Sequence, residues 1–160
     1  MEGVSFLTPK CTLVPSHFFE PASSREILGE VVVLDESDSV KYLPVPQYDA
    51  VLVYAVPGDD VTAPPELWRV LDRLPACQDY NKILASHREG FLYLAIAQGK
   101  SLLLANVFPA GAFATAEYYI FLAMKSLQLN PEVSTICFMS ELAPDDEMSL
   151  YRYFKSVETV

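Results

Sequence analysis

The densest apolar patterning lies between residues 82 and 139. Three almost continuously apolar runs, 82–87, 91–98 and 101–108, are separated by Arg88-Glu89-Gly90 and Gln98-Gly99-Lys100. Runs of this length bounded by glycine turns predict strands covered on both faces, because Gly90 and Gly99 permit the positive φ of tight hairpin turns. A helical pattern follows over 115–129, with Thr115 as N-cap and Glu117 in the first turn, where an acid suits the helix dipole. Asn130-Pro131 stops it, asparagine taking the left-handed cap. Its middle, 118–124, is apolar on every side, which predicts burial from more than one direction. A fourth strand is expected at 133–139. A last helix opens at Pro144 with Asp145, Asp146 and Glu147 and shows Met148, Tyr151, Phe154 and Val157 as its apolar face. The order is β-β-β-α-β-α, which calls for one more strand that the pattern does not supply.

The N-terminal half is patterned less regularly. A short strand is expected near 10–14, then a turn, Pro15-Ser16-His17-Phe18-Phe19, that tucks two aromatics into a core. Pro21 opens a short helix with Ser23, Ser24 and Arg25 outward and Ile27 and Leu28 inward, ending at Gly29. Residues 40–45 and 50–56 predict a hairpin. Pro44 and Pro46 place its first strand at a sheet edge, since proline donates no ladder hydrogen bond, and the apolar 50–56 run belongs inside. Pro64-Pro65 begin a helix carrying Leu67, Trp68, Leu71 and Leu74 at helical spacing, closed by Pro75. Residues 57–65 read as a flexible joint. The division into units is expected at 76–81, giving a first unit of 1–80 and a second of 81–160.

The chain has 160 residues, 51% of them apolar, and so can bury a real core. Its formal charge is −10. That sign repels phosphate backbones and argues against nucleic-acid binding; it favours solubility first and permits a basic protein partner. Cys11, Cys77 and Cys137 are odd in number, widely spaced and without a Cys-x-x-Cys, and the histidines are His17 and His87. Neither a zinc site nor a disulfide scaffold is expected, and Cys137 reads as an inert core thiol. No basic, then apolar, leader opens the sequence and no apolar run is long enough to span a bilayer, so a cytoplasmic location is the default expectation.

Four segments carry a family likeness: Cys11-Thr12-Leu13-Val14-Pro15 with Phe18-Phe19; the run from Asp49 through Leu52 and Tyr54 to Pro57; Arg88-Glu89-Gly90 with the run from Leu102 to Phe108; and Ala116-Glu117-Tyr118-Tyr119 through Asn130-Pro131. Together they resemble a family of uncharacterised proteins from Bacteroides-type bacteria similar in fold to actin-like ATPases. The resemblance implies an α/β fold, ribonuclease-H-like, with two units and mixed sheets around a nucleotide cleft. Family members are longer at both ends, so the chain is expected to lack an opening β-meander and a closing strand, leaving both units incomplete.

In such ATPases, the resemblance further implies, phosphate is held by an Asp-x-Gly loop between the first two strands of each unit. Glycine lets backbone N–H groups approach phosphate and aspartate holds Mg²⁺ or its water. The corresponding turn here, His87-Arg88-Glu89-Gly90, has one glycine and an acid in the wrong form. Arg88, Glu89 and Gly90 are therefore the candidate nucleotide contacts, set against the plainer reading of a solvated turn. Lys100 lacks the other parts of a P-loop, and Ser86-His87 lie on opposite strand faces. His17 reads as a structural histidine beside Phe18, and the Asp145-Asp146-Glu147 run as a dipole-matched helix start. Tyr151, Tyr153 and Phe154 cannot all face one core from one helix and mark a candidate interaction surface.

No catalytic residue, metal or cofactor is expected. Three functional readings follow. The first is a non-catalytic interaction or scaffold protein with an unknown partner, with self-association through exposed sheet edges as a further expectation. The second is a nucleotide-binding actin-like ATPase module. The third is an enzyme of another class using Cys11, Cys77 or His17.

Overall fold

A computed structural model describes residues 7–58 and 62–160 of the chain. The extreme N-terminus and the centre of the expected 57–65 joint lie outside these residues. The chain divides between Arg69 and Val70 into two compact units. This division falls inside a helix rather than in the extended connection at 76–81.

The first unit holds three strands, β1 (Cys11–Pro15), β2 (Ser39–Val45) and β3 (Ala50–Val56), in the order β1-β3-β2. Both pairings are antiparallel, so this sheet is not mixed. The all-apolar β3 takes the centre, where both faces and both edges are covered. The proline-bearing β2 takes an edge, as Pro44 requires. A 3-10 turn, Pro46–Tyr48, joins them, and Asp49 adopts a left-handed φ of 51° to enter β3. Helix α1 (Ser24–Gly29) places the fully buried Leu28 against Val53 and Ala55. Two local expectations are corrected here. Ser24 is buried, its hydroxyl donating to the Pro21 carbonyl at 2.7 Å. Phe18 is 70% exposed and meets the His17 ring at a tilt of 43° outside the core, while Phe19 packs inward.

Helix α2 (Glu66–Arg73) follows, with a 3-10 turn at Leu74–Ala76. Within the first unit, the Trp68 indole donates to the Pro44 carbonyl at 3.0 Å, satisfying an acceptor on the edge strand.

The second unit is built on β4 (Asn81–Arg88), β5 (Phe91–Gln98), β6 (Ser101–Pro109), β7 (Thr135–Phe138) and β8 (Ser156–Thr159), in the order β6-β5-β4-β7-β8. The first three form an antiparallel meander, and β7 and β8 extend it in parallel. This is a five-stranded mixed sheet, and β8 supplies the closing strand that was expected to be missing. Helix α3 (Phe113–Ser126) connects β6 to β7, and α4 (Pro144–Tyr151) connects β7 to β8. One side of the sheet offers Ile83, Ala85, Leu92, Leu94, Ile96, Ile136 and Phe138 to Ala116, Ile120, Ala123 and Met124 of α3.

The edges that remain in this unit are β6 and β8. On β6 the register slips at Ile96/Ala97 and leaves Leu103 unpaired, while the Asn106 side chain accepts from the Val107 N–H at 2.8 Å. A bulge and a self-satisfied amide both discourage edge pairing. The reason for expecting self-association, a sheet short of a strand, does not hold for this unit.

The N-cap of helix α3 is Ala112, three residues before the expected Thr115, and it makes no side-chain cap bond. Its end is a Schellman turn: Leu129 N–H donates to the Met124 carbonyl at 2.8 Å and Gln128 N–H to the Lys125 carbonyl at 3.1 Å. The left-handed residue is Gln128, at φ 59°, rather than Asn130. Asn130 instead caps the next 3-10 turn, accepting from Glu132 N–H.

Candidate functional site

Arg88, Glu89 and Gly90 do come together, at the tip of the β4–β5 hairpin. Arg88 pairs with Phe91, so the loop proper is Glu89-Gly90. Glu89 has φ 47° and Gly90 φ 85°, the two positive values of a mirror-image hairpin turn that matches strand twist. The turn is fastened from behind. Ala110 N–H donates to the Gly90 carbonyl at 2.8 Å, and His87 Nε2 lies 2.7 Å from the Ala110 carbonyl oxygen. The His87 ring also meets the edge of Phe113 at 5.9 Å. The histidine thus serves to tie the hairpin to the start of α3. A two-residue loop offers few backbone N–H groups outside the ladder, and the exposed Glu89 carboxylate adds charge of the same sign as phosphate.

The second turn, Gly99-Lys100, is also a two-residue loop. Gly99 has φ 56°, its N–H donates to the Tyr80 carbonyl at 2.9 Å, and the Tyr80 ring lies 3.1 Å from where a Cβ would stand. Lys100 is a turn residue.

The aromatic trio is split by the fold. Phe154 is buried, 3% exposed, and stacks on Phe121 with centroids 5.7 Å apart. It is a core residue, which corrects its place in an interaction surface. Helix α4 ends at Tyr151, and Phe154 N–H still donates to the Leu150 carbonyl at 2.9 Å, so Leu150 and Phe154 face inward together while the expected Met148 and Tyr151 face outward. Tyr151 and Tyr153 are both about half exposed. They diverge: the Tyr151 hydroxyl donates to the Val157 carbonyl at 3.3 Å, towards β8, whereas Tyr153 packs edge-on against Phe121 of α3 at 4.8 Å.

The larger exposed surface lies where burial was expected. Tyr118 is 61% and Leu122 47% exposed, one turn apart on the outer side of α3. Beside them Phe121 carries Tyr153, and an open depression of about 460 Å³ is lined by Phe121, Met124, Lys125, Leu129, Asn130 and Pro131. The Schellman turn shapes this depression by folding Leu129 back over Met124. The i, i+4 spacing of Tyr118 and Leu122 was visible in the sequence; the all-round apolarity of the helix concealed which stripe faces out.

The thiols behave differently from one another. Desolvation pushes the Cys11 thiol up to about 12, so it is a poor nucleophile. Cys77 and Cys137 meet across the sheet face opposite α3. The Cys137 thiol is a hydrogen-bond partner of Cys77 and, with the Lys82 ammonium, holds Cys77 below the ordinary thiol value. The same contact, and burial, push Cys137 up. Among the described residues no group of three or more His, Cys, Asp or Glu is placed to hold a metal ion, and no helix is long and apolar enough to cross a membrane.

Residues 65–157 match the profile of the family described as protein of unknown function (DUF3822), and the chain belongs to that family. A crystal structure from Bacteroides thetaiotaomicron VPI-5482, of a protein with actin-like ATPase fold and unknown function, superposes with a TM-score of 0.82 at 16% identity over 96% of this chain. The fold is therefore that of the actin-like ATPases. The chain spans 66% of the length of that protein. No curated protein matches the sequence.

Proposed function

We propose that this family member is a non-catalytic interaction module that keeps the actin-like fold and uses the outer side of α3 to dock a protein partner. The observation that carries the reading is the exposed strip of Tyr118 and Leu122, continued by Phe121 and Tyr153 beside an apolar depression. Aromatics around a pocket that accepts an apolar side chain are the usual anchors of protein interfaces. The partner is a protein presenting an apolar anchor for the depression and a net basic surface. A charge of −10 steers such a partner and repels acidic ones. The turn at Glu89-Gly90 supports the non-catalytic half of the reading, since its carboxylate and its two-residue loop suit a phosphate poorly.

The test is affinity capture from the source cell with the native chain beside Tyr118→Ala and Leu122→Asp variants, each checked for native far-UV circular dichroism. A basic protein retained by the native chain, lost from both variants and released as salt is raised is the expected result. Retention unaffected by both substitutions refutes the surface; retention of a second copy of this chain alone makes the face a self-association site and refutes the basic partner.

A further inference from the structure

Cys77 and Cys137 are sixty residues apart in sequence, and their spacing suggested no disulfide scaffold. The sheet brings them together in a definite way. In β7, Ile136 and Phe138 point into the core with α3, so the alternation of a strand turns Thr135 and Cys137 to the opposite face. In β8, Val157 packs with the same core, which turns Glu158, the register partner of Cys137, to that opposite face as well. Leu84 stands beside Cys137 on β4, with Lys82 one step before it on the same face. The connection from α2 to β4 passes over this face. Cys77, which ends the 3-10 turn, lies there 3% exposed against Cys137 at 2%. The two thiols, with Gln78, Asp79, Asn81, Thr135 and Glu158, line a polar cavity of about 40 Å³. Such a space is larger than one water needs and admits hydrogen peroxide, a molecule of two oxygens.

We propose that Cys77 and Cys137 form an oxidisable dithiol pair: a hydroperoxide entering this cavity oxidises Cys77, and Cys137 resolves the product to a disulfide that fastens the α2–β4 connection to β7. In the first step the Cys77 thiolate attacks the peroxide oxygen. The O–O bond breaks, Cys77 becomes a sulfenic acid, and hydroxide leaves and is protonated to water. In the second step the Cys137 sulfur attacks the Cys77 sulfur. The S–O bond breaks, the hydroxyl leaves with the Cys137 proton as a second water, and the S–S bond forms. Two thiols are oxidised and one peroxide is reduced.

The groups facing the pair assign these roles. The Lys82 ammonium donates to the carbonyls of Cys77 and of Asp79, the latter at 3.1 Å, so it is anchored beside Cys77. The Cys137 S–H and then this ammonium favour the thiolate at Cys77, against its burial and the opposing charges of Glu158 and Asp79. Asp79 is partly occupied by Lys155, at 3.7 Å. Cys137, whose thiol is pushed up, keeps its proton until it attacks. A thiolate with a second thiol in contact is the arrangement that favours disulfide over further oxidation.

The experiment treats the intact chain with hydrogen peroxide, blocks remaining thiols in denaturant with N-ethylmaleimide, and maps the non-reduced peptides by mass. The expected product links the Cys77 and Cys137 peptides, leaves Cys11 alkylated, and returns to free thiols with dithiothreitol. Recovery of Cys77 and Cys137 both alkylated, a sulfinic acid at Cys77 without a link, or a link through Cys11 overturns the proposal. In Cys137→Ser, dimedone should label Cys77; in Cys77→Ser, Cys137 should stay unlabelled. Labelling of Cys137 in the second variant overturns the assignment of roles.

Discussion

Truncating Phe154 to alanine tests the closing half of the second unit. Its ring is 3% exposed, lies within the core that includes Leu150 and Ile120, and stacks on Phe121 at an interplanar angle of 24°. Burying such a ring is worth roughly 1.5–3 kcal/mol by area alone. The cavity left behind and the lost ring pair raise the total to about 3–5 kcal/mol, the usual range for Phe→Ala in a core. Tyr153→Ala is the internal comparison. That ring is 50% exposed and loses one edge contact with Phe121, for about 0.5–1.5 kcal/mol. The single tryptophan, Trp68, lies outside this unit, so fluorescence is a poor reporter. Hydrogen exchange in β4 and β5 reads the opening of the second unit directly. At about 1.4 kcal/mol per tenfold, Phe154→Ala should lower protection in these central strands by roughly two to three and a half decades, and Tyr153→Ala by about one or less. If Phe154→Ala moves protection no more than Tyr153→Ala, then Phe154 is a surface residue and its place in the core beside Phe121 is wrong.

Other perturbations follow from local geometry. Gln128→Gly should stabilise the second unit by about 0.5–1 kcal/mol in thermal unfolding, because glycine takes the left-handed C′ position of the Schellman turn without the Cβ penalty; Gln128→Val should destabilise it. Glu89→Asn should stabilise by a similar few tenths to about 1 kcal/mol in the same assay, as Asn-Gly suits a turn with two positive φ values. In the first unit the Lys10 ammonium donates to Asp38 at 2.7 Å, and that bond with the Asp35 N–H holds the Asp38 carboxyl below its ordinary 3.8. Asp38 therefore adds stability above pH 3.8 that is lost as pH falls through its lowered folded value, so the stability gap between the native chain and Asp38→Asn should close on acidification. Lys10 is raised above 10.5, so the native chain should also lose stability as pH rises through that higher value.

Much of the fold was legible because strands buried on both faces leave continuous apolar runs between glycine turns. The β4–β5–β6 meander, the β2–β3 hairpin with Pro44 at an edge, and the helices from Pro65 and near Thr115 all carry such signals. What the pattern hid has physical causes. Strand β8 is Ser-Val-Glu-Thr at an edge, half in water, and one apolar residue shows no alternation. In α4 the buried side carries Leu150, with Phe154 one turn on, while Met148 and Tyr151 face outward, and a short helix with apolar residues on both sides gave no single face to read. A helix apolar all round gives no face, so the exposure of Tyr118 and Leu122 needed the sheet to be known. The Cys77–Cys137 contact is non-local and left no spacing signal. For the site, the sequence located the Arg88-Glu89-Gly90 turn correctly as a hairpin tip, but only the structure showed its carbonyl tied to Ala110.

Thermal unfolding of the intact chain with and without Mg-ATP, Mg-ADP and Mg-GTP tests the central claim, that this actin-like fold works without a nucleotide. A ligand binding the folded state at a hundredfold excess over its Kd adds about 2.7 kcal/mol, a visible shift in midpoint. The expected result is the same midpoint in all four samples. A Mg²⁺-dependent rise with any of the nucleotides would contradict the reading and make the chain a nucleotide-binding module.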